Sequence, residues 1–120
     1  MRRFNVGVIA LAVFLWAAGV AAHAFLQRAD PRVGSTVRTP PAQVRLWFTE
    51  GLEPAFSSVR VVNEAGQRVD KGDGQVDPAN AALLKISLPA LPAGAYKVIW
   101  RVLSVDSHVT EGDFAFRIAP

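Results

Sequence analysis

The chain has 120 residues, with 13 basic against 10 acidic residues, no cysteine and one methionine; this is the size of a single domain. The lack of cysteine excludes disulfide staples and thiolate metal sites. No long basic run is present to follow a phosphate backbone, which argues against nucleic acid as a partner.

Residues 1–22 have the layout of an export signal. Arg2 and Arg3 form its positive start, 6–18 its apolar run, and 19–22 supply the small residues that a signal peptidase accepts. Taken together, 6–22 make an apolar stretch of about 17 residues, at the short edge of what spans a bilayer, so a cleaved signal outweighs an uncleaved anchor, and Arg2-Arg3-Phe4 alone is a weak match to a twin-arginine signal. Removing 1–22 leaves 11 basic against 10 acidic residues, a balance of +1, and takes away the only methionine. The remaining domain, 23–120, contains no sulfur and folds by apolar burial alone, with a modest core.

That domain reads as all-β. Val44, Leu46 and Phe48 alternate with Arg45, Trp47 and Thr49, the period of a half-buried strand. Val59 and Val61 alternate with Arg60 and Val62, and 64–67 reads as a turn into Arg68-Val69. The 79–84 segment has room for one helical turn at most, and Leu84, Ile86 and Leu88 then alternate with Lys85 and Ser87. Tyr96, Val98, Trp100 and Val102 mark a long strand, and Phe114, Phe116 and Ile118 the last one. Turn chemistry fills 30–35, 40–41, 71–78 and 89–94. About seven short strands with regular turns predict a Greek-key β-sandwich or barrel, immunoglobulin-like or cupredoxin-like. Trp100 belongs to the core set, whereas Trp47 falls on the polar face of its strand. Arg60, Lys85, Lys97 and Arg117 read as solvated outward faces. Asp70, Asp73 and Asp77 lack the terminal bidentate glutamate of an EF-hand and read as a solvated turn.

The chemistry gathers on very few residues. Only two histidines exist, His23 and His108. Cleavage after Ala22 makes His23 the first residue of the exported chain, so its α-amine and ring Nδ1 can grip one metal ion as a chelate. His108 follows Asp106 by two residues, in the connection between the last two strands, where residues i and i+2 of extended chain share a face. Three nitrogens and a carboxylate oxygen form the tetragonal N,O set that Cu(II) prefers, while a chain without sulfur is ill suited to Cu(I). The competing cut lies after Ala24, because Ala22-His23-Ala24 is itself a small-x-small pattern; that cut would discard His23.

The chain resembles the CopC family of periplasmic copper-binding proteins over nearly all of 22–119. The resemblance begins at Ala22-His23-Ala24, Leu26, Asp30-Pro31 and Gly34-Ser35, and continues through Val44-Arg45-Leu46-Trp47-Phe48-Thr49-Glu50. It is strongest over 94–108, where Tyr96, Val98, Trp100, Val102, Ser104, Asp106 and His108 match every fixed position of the family motif, and it closes with Gly112-Asp113-Phe114 and Phe116. The resemblance implies a cupredoxin-like Greek-key barrel that holds one Cu(II) ion per chain through His23, Asp106 and His108. It implies Glu50 as a weak ligand or a partner just outside the ligand set, with Glu53 as the alternative. It also implies a monomeric periplasmic carrier or buffer in copper homeostasis or resistance, not an enzyme, delivering copper to an inner-membrane transporter of the CopD type. This sequence departs from family members that carry a methionine-rich Cu(I) site, so only the Cu(II) site carries over. Two competing readings are a histidine-brace copper monooxygenase and a metal-free immunoglobulin-like interaction module. The first needs an open coordination position, which Asp106 fills; the second needs an exposed apolar patch in place of ligands.

Overall fold

A computed structural model describes residues 24–120. Eight strands run in chain order: β1 (Leu26–Asp30), β2 (Thr36–Val37), β3 (Gln43–Phe48), β4 (Ser58–Asn63), β5 (Gln75–Asp77), β6 (Asn80–Ser87), β7 (Gly94–Leu103) and β8 (Val109–Ile118). They form two four-stranded sheets, ordered β1-β3-β6-β5 and β2-β8-β7-β4. The chain changes sheet at every connection except β5 to β6 and β7 to β8, as Greek-key sandwiches do. Residues 1–23, which include the expected export signal and His23, lie outside the described residues.

Alternation builds the core as the sequence predicts. Val44, Leu46 and Phe48 of β3 face inward with Leu84 and Ile86 of β6. Opposite them lie Val59 and Val61 of β4, Val98 and Val102 of β7, and Phe114, Phe116 and Ile118 of β8, all buried. Each carries a large apolar area out of water, at about 25 cal/mol per Å². Trp100 packs against this core but is only partly buried. Its indole meets Phe48 edge-on at 6.0 Å and lies 6.3 Å from Phe114.

Several local expectations change. There are eight strands where about seven were expected, because β2 and β5 are two and three residues long and lie in or beside turn-rich sequence. β1 shows no clean alternation because its pairing with β3 slips between Leu26 and Arg28. The 79–84 segment forms no helical turn; from Asn80 it is strand, paired with β3 and β5. Among the described residues, the one short helical element is a 3₁₀ turn at Pro54–Phe56.

The three aspartates read as a solvated turn are instead structural acceptors. The buried Asp70 carboxylate accepts N–H groups from Val61 and Gly72, both at 2.8 Å, and from Arg68 Nε at 2.9 Å. Asp73 accepts the Ser87 N–H at 2.8 Å. Asp77 accepts Ala79 N–H at 3.0 Å and Lys85 Nζ at 2.7 Å. Lys85 is therefore an ion-pair partner, whereas Arg60, Lys97 and Arg117 are exposed as expected. The Lys85 ammonium holds the Asp77 carboxyl below its ordinary range, and hydrogen bonding to Ser87 does the same for Asp73.

Gly112, directly across the ladder from Trp100, makes room for the indole. A Cβ there would come within 2.3 Å of Trp100 Cζ2. Gly112→Ala is expected to destabilise the fold by about 1–3 kcal/mol, the range for overpacking, read as a lower melting temperature. An unchanged melting curve would show that the indole moves aside freely.

Candidate metal centre

The β7–β8 ladder ends at the Leu103↔Val109 pair, leaving 104–108 as a tight connection. Ser104 is fully buried and closes this connection: its N–H donates to the His108 carbonyl at 3.0 Å, and the Ser107 N–H donates back to the Ser104 carbonyl at 2.9 Å. Ser107 takes the left-handed backbone conformation, φ +73°, to complete the turn. A second segment supports the loop from below. Leu52 bridges Ser104, Val105 N–H donates to the Gly51 carbonyl at 3.0 Å, and Glu53 N–H donates to the Leu103 carbonyl at 2.8 Å.

This backbone turns Asp106 back over the loop. Its Oδ1 accepts the buried Ser104 hydroxyl in a short hydrogen bond and lies 3.3 Å from the His108 N–H. The same oxygen stands 3.2 Å from His108 Nδ1. The Ser104 hydroxyl, foremost, and the ring and backbone N–H groups of His108 hold the Asp106 carboxyl below its ordinary range. The pair remains reachable from solvent, with the Asp106 side chain 33% exposed and that of His108 46%.

The first described residues reach the same end of the sandwich. Ala24 is buried, and its carbonyl accepts the Thr110 hydroxyl at 3.0 Å, two residues past His108. Phe25 and Thr49 exchange two hydrogen bonds: Phe25 N–H to Thr49 Oγ1 and Thr49 N–H to the Phe25 carbonyl, both at 2.9 Å. The first described residues therefore lie beside the Asp106–His108 loop.

The expected ligands stand as follows. Asp106 and His108 are brought together. His23 lies outside the described residues. Glu50 is half-buried just past β3, one residue from the Gly51 carbonyl that Val105 grips. Among the described residues, no three His, Cys, Asp or Glu side chains gather into a group that could hold a metal, so neither Glu50 nor Glu53 forms a ligand trio with the pair. Sequence reasoning quoted Ser104 within the motif but gave it no role. It also left Thr110 and Thr49 without one. The S-x-D spacing is the usable signal for Ser104, since a serine two residues before an aspartate in a turn can donate to it. Thr110 and Thr49 act across 86 and 24 residues of chain, and nothing local announces them.

The donor chemistry suits a borderline metal ion: one imidazole and one ionised carboxylate, 3.2 Å apart. Adjacent ligands around a tetragonal ion with bonds of about 2.0–2.1 Å are about 2.9 Å apart, so the pair needs only a few tenths of an ångström of movement to share an ion.

Comparison with known proteins places the chain. The model of the CopC domain matches residues 26–119. The chain belongs to the CopC family. The crystal structure of CopC from Methylosinus trichosporium OB3b superposes with a TM-score of 0.73 at 36% identity, covering 82% of this chain and 95% of that one. Copper resistance protein C of Pseudomonas syringae pv. tomato is 31% identical over 119 residues, 88% of this chain and 93% of that protein. Copper transport protein CutJ of Bacillus subtilis is 32% identical over 98 residues, which are 81% of this chain but only 18% of CutJ. In CutJ a CopC-like segment is thus a small part of a longer protein.

Ser104→Ala removes the main hydrogen bond lowering the Asp106 pKa. A carboxylate with a depressed folded pKa contributes stability that is present above its unfolded value and lost as pH falls through the folded one. The variant's Asp106 is therefore expected to titrate higher, closer to an ordinary aspartate, by carboxyl-carbon NMR, and acid unfolding to begin at a higher pH. An Asp106 titration unchanged from the parent would remove Ser104 from this role.

Proposed function

We propose that this CopC-family chain is a periplasmic Cu(II) carrier or buffer serving copper resistance or homeostasis, exported by a cleaved signal. One ion per chain is held by the α-amine and ring of a mature-terminal His23 together with Asp106 and His108. The observation that carries this reading is the Asp106–His108 pair, 3.2 Å apart and open to solvent, beside the buried start of the described chain. Covalent geometry supports the third partner. Consecutive Cα atoms are about 3.8 Å apart, and Ala24 is tied to Thr110, two residues from His108.

The roles follow from elementary coordination chemistry. The amine and imidazole of His23 give a chelate of two nitrogens. His108 adds a third, and Asp106 adds a negative oxygen that offsets part of the ionic charge. Asp106 arrives ionised, because Ser104 and His108 already stabilise its charged form, so copper need not displace a proton from it. A set filled by four protein donors suits retention and exchange of cargo rather than oxygen activation, which needs a vacant position. Glu50 enters as a partner just outside these four, with Glu53 as its alternative. The names of the relatives, a copper resistance protein and a copper transport protein, support cargo handling in the same sense. Delivery to an inner-membrane transporter of the CopD type, by a monomeric carrier, completes the reading.

The test begins with intact mass. The exported protein should match a chain starting at His23, and one equivalent of Cu(II) should add one copper. EPR should give a nitrogen-rich tetragonal spectrum that is lost in His23→Ala and in His108→Ala. Affinity should fall as pH is lowered, because protons compete with copper for the amine and imidazole nitrogens. Tight binding that survives both substitutions would reject the site, and a mass beginning at Phe25 would end the chelate.

A further inference from the structure

The outer face of the β1–β3 edge carries a second concentration of chemistry, separate from the copper loop. Arg28 lies directly opposite Trp47 in the ladder, and Asp30 directly opposite Arg45. The Arg28 guanidinium stacks on the Trp47 ring, 3.8 Å from its centroid, and Arg45 approaches the same ring at 5.3 Å. With Arg32 and Ala29 these residues line a shallow depression of about 380 Å³. Asp30 is the only acid in that lining, and it is taken by Arg45 Nη2 at 2.6 Å. Arg45 Nε is meanwhile buried with no acceptor. Among the described residues, neither Arg28 nor Arg32 has a carboxylate within ion-pair distance.

The balance of this face is therefore two uncompensated arginines beside an aromatic ring, on a chain whose domain is close to neutral elsewhere. Stacking occupies the plane of a guanidinium and leaves its in-plane N–H donors free to point outward. Those donors match phosphate oxygens in a bidentate fork. An indole beside them, partly exposed, is suited to the polar–apolar boundary of a bilayer surface. Asp30 is the one acid beside three arginines in this lining, and it pairs with Arg45 alone.

We propose that the Arg28–Arg32–Arg45–Trp47 face docks on anionic phospholipid headgroups, holding the protein against a membrane surface. Two uncompensated arginines, at about 1 kcal/mol each near an anionic bilayer, correspond to about a 30-fold preference for anionic over neutral vesicles. The interaction is weak and reversible, and it weakens as salt rises.

The test is co-sedimentation of the exported chain, its start verified by mass, with vesicles of phosphatidylglycerol or of phosphatidylcholine at low ionic strength. The expected result is about 30-fold stronger partitioning onto phosphatidylglycerol, falling to the phosphatidylcholine level in Arg28→Gln/Arg32→Gln and unchanged in Arg117→Gln, on the opposite sheet. The double variant should keep its melting temperature and its Cu(II) titration, which separates loss of docking from loss of fold or of the copper site. Equal partitioning onto both vesicles would overturn the proposal. So would retained binding in the double variant. Binding of poly-glutamate without binding to vesicles would point to an acidic protein partner and equally overturn it.

Discussion

A buried serine hydroxyl organises the functional end of this molecule. Ser104 is the only residue of the β7–β8 connection wholly removed from solvent, and a hydroxyl there must find a partner or cost several kcal/mol. It finds the Asp106 carboxylate. That bond folds Asp106 back over the turn, brings its oxygen to His108, and favours the charged form. Because Ser104 is also backbone-paired with His108 and bridged to Leu52, the geometry of the loop is set by the body of the sandwich. A five-residue connection left to itself would spend much of its time in other conformations, each residue costing about 1–2 kcal/mol to fix.

The same end collects three segments distant in sequence. The described chain starts there through Ala24 and Thr110, β3 ends there through Thr49 and Phe25, and the β7–β8 loop rests on 51–53. Each tie is a backbone or hydroxyl hydrogen bond worth about 1 kcal/mol by itself. Together they bring the first residues of the domain to one place, which a chelate built on a mature N-terminus requires. Ala24, the first described residue, is held there by its bond to Thr110.

How much of this was legible in the sequence differs from place to place, for physical reasons. Period-two alternation exposed β3, β4, β6 and β7, because a strand buried on one face must alternate, and most core residues come from those runs and from β8. It failed for β1, where a bulge breaks the register, and for β2 and β5, too short to show a period. It failed for the Asp70–Asp77 region as well: a loop rich in Gly and Asp looks solvated, yet the carboxylates are consumed by N–H groups of Val61 and Ser87, on strands the local sequence does not indicate. The D-x-H pair was legible because both residues lie two positions apart on one turn. The anchoring threonines were not, since their partners are chosen by sheet topology alone.

Trp47 and Trp100 show how one residue type divides between the two faces of a sandwich. Trp100 points toward the core and is accommodated only because Gly112 opposes it without a side chain. Trp47, on a strand of the other sheet, points outward, and its ring is covered by arginine guanidiniums rather than by apolar neighbours. An exposed indole on a flat sheet is an aggregation hazard at an edge pairing; cationic cover on β1, the edge strand, relieves that hazard by charge repulsion between copies. That cover needs no more than one arginine. Arg32, which neither stacks on the ring nor pairs with an acid, adds nothing to the shielding, so its charge is the part of this face that stability alone does not account for.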